Sequence, residues 1–547
     1  MLDSTDAEAR NFYPETTLWT RPPALRNSLD DGNERSTTVP GFTMKSARII
    51  VSTRFYRMLP LAALVFALGG CAMLAPAPDL SQRQSSVEVP GEWRQTAPPV
   101  EARTPEVQDL ARWWRRLGDP LLDELIERGL NTAPDLRAAQ IRLRQARISR
   151  DQTAADWFPS LGFSGGASRS PGSGSATNTS YSARFDASWE PDIFGGVRHA
   201  VSGAESDLAA QAARLEDAQV TLTAEIARNY VEYRANQQRL AIARKNALSQ
   251  EETLQITRWR AAAGLVTELD VEQARTSVEQ TRATIPTLEN TMTASLHRLD
   301  ILLGLTPGSL LGLYSRQLAT ALPLPHAPDE IAVGIPSDAL RRRPDVRAVE
   351  QTLLAETARV YVRVAARYPS LKLSGQFGWQ DTSFAALGGS ATIVRSLAAS
   401  LTATLFDAGR IENQIAIQDA VQEQALVSYE QILLTALEDV ENALSTYAAG
   451  RRREVNRVQA ADAARNAAQM ASQMYQAGLV DFQKVLDTQR TLLSAEDGLV
   501  VSQSDILTSL IQLYKTLGGG WEPATETASV PAPQNLPLQK LSGESHP

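Results

Sequence analysis

The sequence predicts a mainly α-helical fold that carries four β-strands and is built from two copies of one unit. Three observations support this prediction. Short motifs recur in the same order at a nearly constant spacing, which indicates an internal duplication. Two long segments without proline are rich in alanine, as helices are. Four shorter segments alternate apolar with polar residues, as half-buried strands do.

Composition narrows the possible functions. The 547 residues include one cysteine and four histidines, so no disulfide framework, metal centre or cofactor is expected. The formal charge is −8 and no basic patch dominates the chain, so a nucleic-acid partner is not expected either.

The N-terminal region has the pattern of an export signal. Residues 1–43 are polar and irregular, and we interpret them as an upstream extension before a true start at Met44. Residues 44–70 combine basic residues with the apolar run 58–68, which is too short to span a membrane. The run ends in Leu-Gly-Gly-Cys, which resembles the lipobox of bacterial lipoproteins and predicts lipidation of Cys71. The alternative is a free cysteine at the end of a signal peptide.

The remaining chain contains the same unit twice. Four motifs, which begin at 134, 158, 194 and 263, recur at offsets that drift from 210 to 214 residues. Small insertions or deletions explain the drift, whereas two independent domains would not keep the order. We therefore divide the chain into a linker, a first repeat, an inter-repeat linker, a second repeat and a disordered tail: 71–104, 105–305, 306–335, 336–520 and 521–547.

Each repeat opens with a helix of 23 residues, predicted over 135–157 and 345–367. An aromatic-Pro-Ser-Leu motif follows both segments. Because proline disfavours the helical conformation of the residue before it, both helices are expected to end there.

Two strands follow in each repeat. Alternation predicts strands over 181–190 and 371–380, a strand that starts at Leu161, and a strand marked by the apolar residues of 397–405. The segments between paired strands are rich in glycine, serine and other small residues and are predicted to be loops. These loops cover 168–180 and 381–392.

A very long helix comes next in each repeat, over 198–263 and 410–477, each about 100 Å at 1.5 Å per residue. After an Ala-Gly-Leu-Val turn the chain reverses into 267–303 and 481–517, where apolar residues recur every seven positions, as in a coiled-coil seam. Pro286 is expected to kink the first of these return helices. The short helix and the return helix together nearly match the long one, so each repeat is expected to form a two-layer antiparallel rod.

Four strands with one apolar and one polar face cannot close a barrel alone. Open sheet edges in lipid leave backbone groups unpaired, so the strands need partner subunits or belong to a soluble sheet. Trp157, Trp189 and Trp379 lie near strand ends and fit either a membrane interface belt or an ordinary core. The lipobox favours the membrane interface.

Taken together, these ordered features resemble the TolC-like outer membrane efflux proteins, and the lipobox points to the acylated branch similar to OprM and NodT. The resemblance covers about residues 105–520 and includes the glycine turns at 194–198 and 406–410. It implies a homotrimer whose 12-strand β-barrel lies in outer membrane lipid and continues into a long α-helical barrel in the periplasm. It also implies passive export of small molecules delivered by an inner-membrane RND-type pump and a periplasmic adaptor of the membrane fusion type.

The resemblance further implies a gate at the periplasmic tip. Asp270 and Tyr475 fall where an aspartate bonds a tyrosine in the family pattern. Asp487 matches one position of an acidic ring, Lys484 stands where a second aspartate is expected, and Asp481 is a candidate for that second ring. The alternative for each charge is a solvated helix surface. The adaptor is expected to dock at the two turns Gly264-Leu265-Val266 and Gly478-Leu479-Val480.

Other functions fit the sequence less well. The segment around Ser164 matches the G-x-S-x-G pattern of serine hydrolases, but it lies inside an alternating strand and not at a strand-to-helix turn. An enzyme is therefore not expected. No phosphate-binding loop is present, so no ATPase activity is expected either. A type I protein secretion channel is an alternative for the same architecture. A soluble coiled-coil periplasmic scaffold would explain the helices but neither the strands nor the lipobox.

Overall fold

The structure is a computed structural model that describes residues 85–94, 100–101, 110–171, 177–328 and 331–521. The chain divides into two units, Met1–Val65 and Phe66–Pro547, and the described residues all belong to the second. These predicted features lie outside the described residues: the extension 1–43, the signal 44–70, the lipidation site Cys71, most of the linker 71–104 and the tail from 522 onward.

Long helices dominate the described residues. In chain order the α-helices are α1 Pro120–Thr132, α2 Pro134–Ala154, α3 Gly196–Ala262, α4 Glu268–Leu302, α5 Ser309–Leu313, α6 Ser315–Ala319, α7 Pro336–Arg342, α8 Pro344–Ala365, α9 Arg410–Gln476 and α10 Phe482–Thr516.

Two sheets accompany the helices. The strands are β1 Val100–Glu101, β2 Ser160–Pro171, β3 Thr177–Trp189, β4 Ile331–Ala332, β5 Ser370–Asp381 and β6 Ile393–Thr402. The larger sheet is antiparallel with the order β2-β3-β5-β6, so each repeat supplies one hairpin. The short parallel pair β1 and β4 ties the N-terminal linker to the inter-repeat linker.

The predicted long helices are confirmed, with ends that shift by one or two residues. Helices α3 and α9 have 67 residues each, and the return helices α4 and α10 have 35 each. Helices α2 and α8 begin at a proline, which the first helical position tolerates because its N–H has no partner in the helix. Helix α4 continues through Pro286 without a break.

The four predicted strands are also confirmed, but their bounds required correction. The predicted loop 168–180 is mostly strand, because β2 continues to Pro171 and pairs with β3 from Thr177 onward. Pairing of small polar residues across the two strands outweighs their weak intrinsic strand propensity. The apolar pattern predicted that the last strand reaches Leu405, but β6 ends at Thr402.

Glycine and aspartate turn the chain from the sheet into each long helix. Gly195 and Gly409 precede α3 and α9 with φ of +82° and +83°, a region that favours glycine. The carboxylate of Asp192 accepts a hydrogen bond from the N–H of Arg198 at 2.8 Å, and Asp407 accepts one from the second residue of α9 at 2.9 Å. Strands β3 and β6 are both antiparallel to β5, so the two long helices that follow them leave the same end of the sheet.

The helices of the two repeats pack against one another. Helix α3 packs against α4 and α9 packs against α10, while α8 contacts both α3 and α9 and α10 also contacts α3. The predicted seven-residue seam is buried at Val271, Val278 and Leu299 in α4 and at Val485 and Leu513 in α10.

A buried arginine joins helix α3 to the inter-repeat linker. Arg234 is fully buried, and its guanidinium donates to the carbonyl oxygens of Gln317 and Thr320, both at 3.1 Å. It also donates to the Tyr230 hydroxyl at 3.0 Å, and Tyr230 donates to Asp119 at 2.6 Å. Burial and the Asp119 carboxylate raise the pKa of the Tyr230 phenol, so it stays a donor.

Candidate functional site

The four-stranded sheet has one exposed apolar face. Phe163, Phe185 and Phe377 lie opposite one another on β2, β3 and β5, and the first two rings are 5.3 Å apart. On the same face of β6, Leu397 is 89% exposed. The described part of the chain therefore leaves this apolar face uncovered, which is unusual for a water-facing surface.

The edges of this sheet are open as well. Strands β2 and β6 are the outer members of the strand order, and each pairs on one side only within the described residues. Every residue of β6 is exposed. Because unpaired strand edges present free N–H and C=O groups, both edges are suited to pairing with other strands.

Tryptophans mark the two ends of the apolar face. Trp189 ends β3 at the helix-bearing end, where its indole N–H donates to the carbonyl oxygen of Trp157 at 3.1 Å. Trp379 lies opposite Ile393 near the other end, where the strands reverse. The apolar face is thus bracketed by amphipathic aromatic residues.

The opposite face is polar and contains the serine that matched the hydrolase pattern. The hydroxyl of Ser164 donates to Asp186 at 2.6 Å and accepts from Arg184 at 3.2 Å. Ser164 lies inside β2, as predicted, and not on a strand-to-helix turn. The serine therefore takes part in a cross-strand polar network.

At the other end of the helices, both hairpin turns have the same backbone geometry. Gly264 and Gly478 have φ of +71° and +76°. In the first turn the N–H of Leu265 donates to the carbonyl of Arg260 at 2.9 Å, and in the second Leu479 donates to Met474 at 2.8 Å. This is the glycine-terminated helix end that satisfies the last carbonyls, so the duplicated motif specifies duplicated tips.

The expected hydrogen bond between Asp270 and Tyr475 is not formed in the described chain. The Asp270 carboxylate accepts from the N–H and hydroxyl of Thr267, at 2.9 and 2.8 Å, in a capping box at the start of α4. Tyr475 is buried, and its hydroxyl lies 3.3 Å from that of Thr257. Within one chain a local cap, three residues away, therefore engages the carboxylate, and the gate contact between Asp270 and Tyr475 stays a prediction.

Tyr475 is held by an arginine that the sequence analysis did not identify. Arg260 of α3 donates to the carbonyl oxygen of Tyr475 at 2.6 Å, and its guanidinium carbon lies 4.5 Å from the centre of the Tyr475 ring. This pair, which we name the tip clasp, joins the end of the first long helix to the end of the second.

A small apolar cluster surrounds the tip clasp. Tyr475 packs with Phe482 at a ring-centroid distance of 6.0 Å, and both belong to a buried group separate from the main core. Its other buried members are Leu254, Val271, Ala274, Val278, Val485 and Leu486. The tip therefore has a buried apolar cluster of its own, separate from the main core.

The three predicted charged residues of α10 lie together on its exposed surface. Asp481 caps the helix by accepting the N–H of Lys484 at 3.0 Å. Asp481, Lys484 and Asp487 are spaced by three and are all exposed, whereas Phe482 and Val485 face the tip cluster. No ion pair of Lys484 with either aspartate occurs among the described residues, so the alternating charges face outward.

The predicted docking residues divide by exposure. Leu265 and Leu479 are 68% and 72% exposed, and Gly264 and Gly478 are exposed as well. Val266 and Val480 are half-buried, and Val480 packs against the tip cluster. Trp259, which the sequence analysis did not identify, is exposed beside Leu265 along a groove between the two turns.

Comparison of the repeats offers a signal for the missed residues. At the offset of 214, Arg260 corresponds to Met474, so the two tips differ just where the tip clasp forms. An arginine that departs from an otherwise kept pattern is a candidate for a contact between the copies.

Among the described residues, no group of three or more histidine, cysteine, aspartate or glutamate residues is arranged to hold a metal ion. None of the described helices has an apolar stretch long enough to cross a membrane.

Comparisons with known proteins agree with the architecture. The family model described as outer membrane efflux protein matches residues 125–305 and 335–519. The chain is 33% identical over 434 residues to the pyoverdine export outer membrane protein OpmQ of Pseudomonas putida, covering 76% of this chain and 89% of that protein. It is 30% identical over 500 residues to the probable efflux pump outer membrane protein TtgC of the same species, covering 88% and 99%. The solved outer membrane channel OprN has a TM-score of 0.75 and 33% identity, covering 82% of this chain and all of that one.

Proposed function

This chain belongs to the outer membrane efflux protein family, and from that premise we propose that three copies form the passive outer membrane conduit of a tripartite efflux system. The observation that carries this proposal is the four-stranded sheet with an uncovered apolar face and two open edges. A lipid-exposed sheet must close, because unpaired backbone groups in hydrocarbon cost several kcal/mol each. Three chains supply twelve strands and pair each β6 with a neighbouring β2.

The dimensions of the sheet support a membrane location. Its strands have 10 to 13 residues, and a tilted strand of about 9–11 residues crosses the hydrocarbon core. The apolar face, bracketed by Trp189 and Trp379, faces lipid in this arrangement, and the polar face with Asp186 lines a water-filled lumen. Lipidation at Cys71 adds an anchor that we propose from the lipobox alone.

We assign the gate to the tip of the long helices. Threefold symmetry would place three copies of Asp481 and of Asp487 around one axis, where mutual repulsion opposes collapse and attracts cations. The tip clasp between Arg260 and Tyr475 would hold the two hairpins of each chain together and so keep the aperture narrow. The departure at Lys484 puts a positive charge between the two acidic rings.

We propose that a periplasmic adaptor docks on the exposed turns and connects the conduit to an inner-membrane pump. Leu265 and Leu479 present apolar side chains at the point farthest from the sheet along each hairpin. Small organic cargo is supported by two relatives from Pseudomonas putida, the pyoverdine export outer membrane protein OpmQ and the toluene efflux pump outer membrane protein TtgC. Transport of a folded or unfolded protein is the alternative that a cargo assay must separate.

A pair of arginine substitutions tests the membrane arrangement. Leu397 lies mid-strand on the apolar face of β6, and its neighbour Ser396 lies on the polar face. Leu397→Arg should abolish trimers in the outer membrane fraction and efflux of a small fluorescent dye, because arginine at the bilayer midplane costs about 2–4 kcal/mol. Ser396→Arg should retain both. Equal behaviour of the two variants would contradict the lipid-facing assignment.

A further inference from the structure

Two arginines lie on the face of the sheet that is otherwise apolar. In β6, Arg395 pairs with Phe377 and lies between Ile393 and Leu397 on the same face. In β2, Arg169 shares the face of Phe163, six residues away, because side chains alternate along a strand. Both side chains are exposed, and Arg169 makes one long contact, 3.3 Å to the hydroxyl of Thr177.

Both arginines lie at the same end of the sheet. Arg395 is the third residue of β6, and Arg169 is the third residue from the end of β2. This is the end where the strands reverse, opposite to the end that continues into the helices. At about 3.3 Å per residue each side chain starts about 7 Å from its strand end, a depth at which headgroups are within reach.

Of the other charged residues on the strands, one shares this face and this end of the sheet. Arg184, Asp186 and Lys372 lie on the polar face, whereas Asp381 lies on the apolar face at the last residue of β5. Asp381 accepts the N–H of Ser383 at 2.8 Å and so caps the following turn. It lies four residues, or about 13 Å, beyond the ladder position of Arg395, and strand β3 separates it from Arg169.

We propose that Arg169 and Arg395 of neighbouring chains bind the phosphate group of a phosphorylated outer-leaflet glycolipid at each seam of the barrel. The two arginines occupy the two open edges of the sheet, and each is the third residue from the reversing end of its strand, so pairing β6 of one chain with β2 of the next brings both to one seam near that end. This inference rests on the proposed trimeric barrel. An arginine facing lipid is costly unless an anion at the interface engages it, and guanidinium groups bind phosphate through paired donors.

Lipid binding by the purified full chain tests this proposal. Trimers in detergent are titrated with bisphosphorylated lipid A, with the same lipid after phosphate removal, and with inorganic phosphate as a competitor, and bound lipid is counted by native mass spectrometry. Each arginine near a charged surface contributes about fivefold to affinity, so the double variant Arg169→Gln, Arg395→Gln should bind roughly 30-fold more weakly. Lys372→Gln, which removes a charge from the polar face, should bind as the wild type.

Four results would overturn the proposal. They are unchanged affinity in the double variant, equal binding of the dephosphorylated lipid, displacement of the lipid by millimolar inorganic phosphate, and an equal loss in Lys372→Gln. Failure of the conduit itself is distinguishable, because a chain that does not form trimers has no seam and exports nothing. A trimer that exports dye normally but binds lipid equally with and without the arginines would overturn this inference alone.

Discussion

The tip clasp gives a direct way to perturb the proposed gate. Replacing Arg260 by methionine, the residue at the equivalent position of the second repeat, keeps the aliphatic bulk and removes the guanidinium. The variant loses a charge-assisted hydrogen bond to the Tyr475 carbonyl and a cation–ring contact at 4.5 Å. No glycine or proline enters the helix, so α3 should remain intact.

The expected effect follows from these two contacts. A hydrogen bond to a charged group contributes about 1.5–3 kcal/mol when buried, and a partly exposed cation–ring contact contributes about 0.5–1 kcal/mol. Arg260 is half-buried, so we expect a total of about 2 kcal/mol. If the open tip lacks these contacts, its population relative to the closed tip should rise about 30-fold.

Single-channel recording of the purified trimer in planar bilayers measures this population as an open probability. Arg258→Met is the matched control, because Arg258 is exposed two residues earlier on the same helix. Arg260→Met should open far more often than both the wild type and the control, and cells that carry it should become sensitive to large hydrophilic antibiotics. Equal open probability in the two variants would refute the role of the tip clasp.

Three further substitutions test other parts of the account. Asp270→Ala should lower the free energy of unfolding of the tip by about 1 kcal/mol, because it removes the capping box. Hydrogen exchange should become faster after Thr267 in this variant but not in Glu268→Ala, and equal exchange in the two variants would contradict the cap. Gly264→Val should lower stability by about 1–2 kcal/mol, because φ is +71° at this residue, and it should reduce export from intact trimers. Gly264→Asn should be tolerated. Unimpaired export by the valine variant would argue against docking at this turn. Arg234→Met should lower the yield of folded trimer sharply, by about 3–6 kcal/mol of lost stability, because the buried guanidinium loses two charge-assisted hydrogen bonds to carbonyl oxygens, each worth about 1.5–3 kcal/mol; a normal denaturation midpoint would contradict this.

The sequence predicts most of the fold because the helices and strands follow from local residue patterns, and both repeats contain the same patterns. Seven-residue apolar spacing identifies the return helices, and alternation identifies all four strands. The extent of the strands was harder to predict, since residues 168–171 pair with 177–180 in a ladder where composition alone predicts a loop. Hydrogen bonds between strands depend on a partner that is distant in sequence, so residue preference is a poor guide at strand ends.

The sequence predicted where the residues of the candidate site lie, but it did not predict which groups they contact. Asp270 and Tyr475 lie at the tip, as expected, yet each is engaged by other groups. The Asp270 cap arises from a spacing of three residues and could have been found from Thr267. The contact of Arg260 with Tyr475 spans 215 residues, and no local pattern encodes it.

Closure of the sheet by neighbouring chains is most directly measured with introduced cysteine pairs. One cysteine replaces Ala399 in β6, and the second scans residues 161–167 of β2, in a chain with one native cysteine, Cys71. The account predicts that one register gives a closed covalent trimer on a non-reducing gel. Monomers at every register, or an open ladder of higher oligomers, would contradict it.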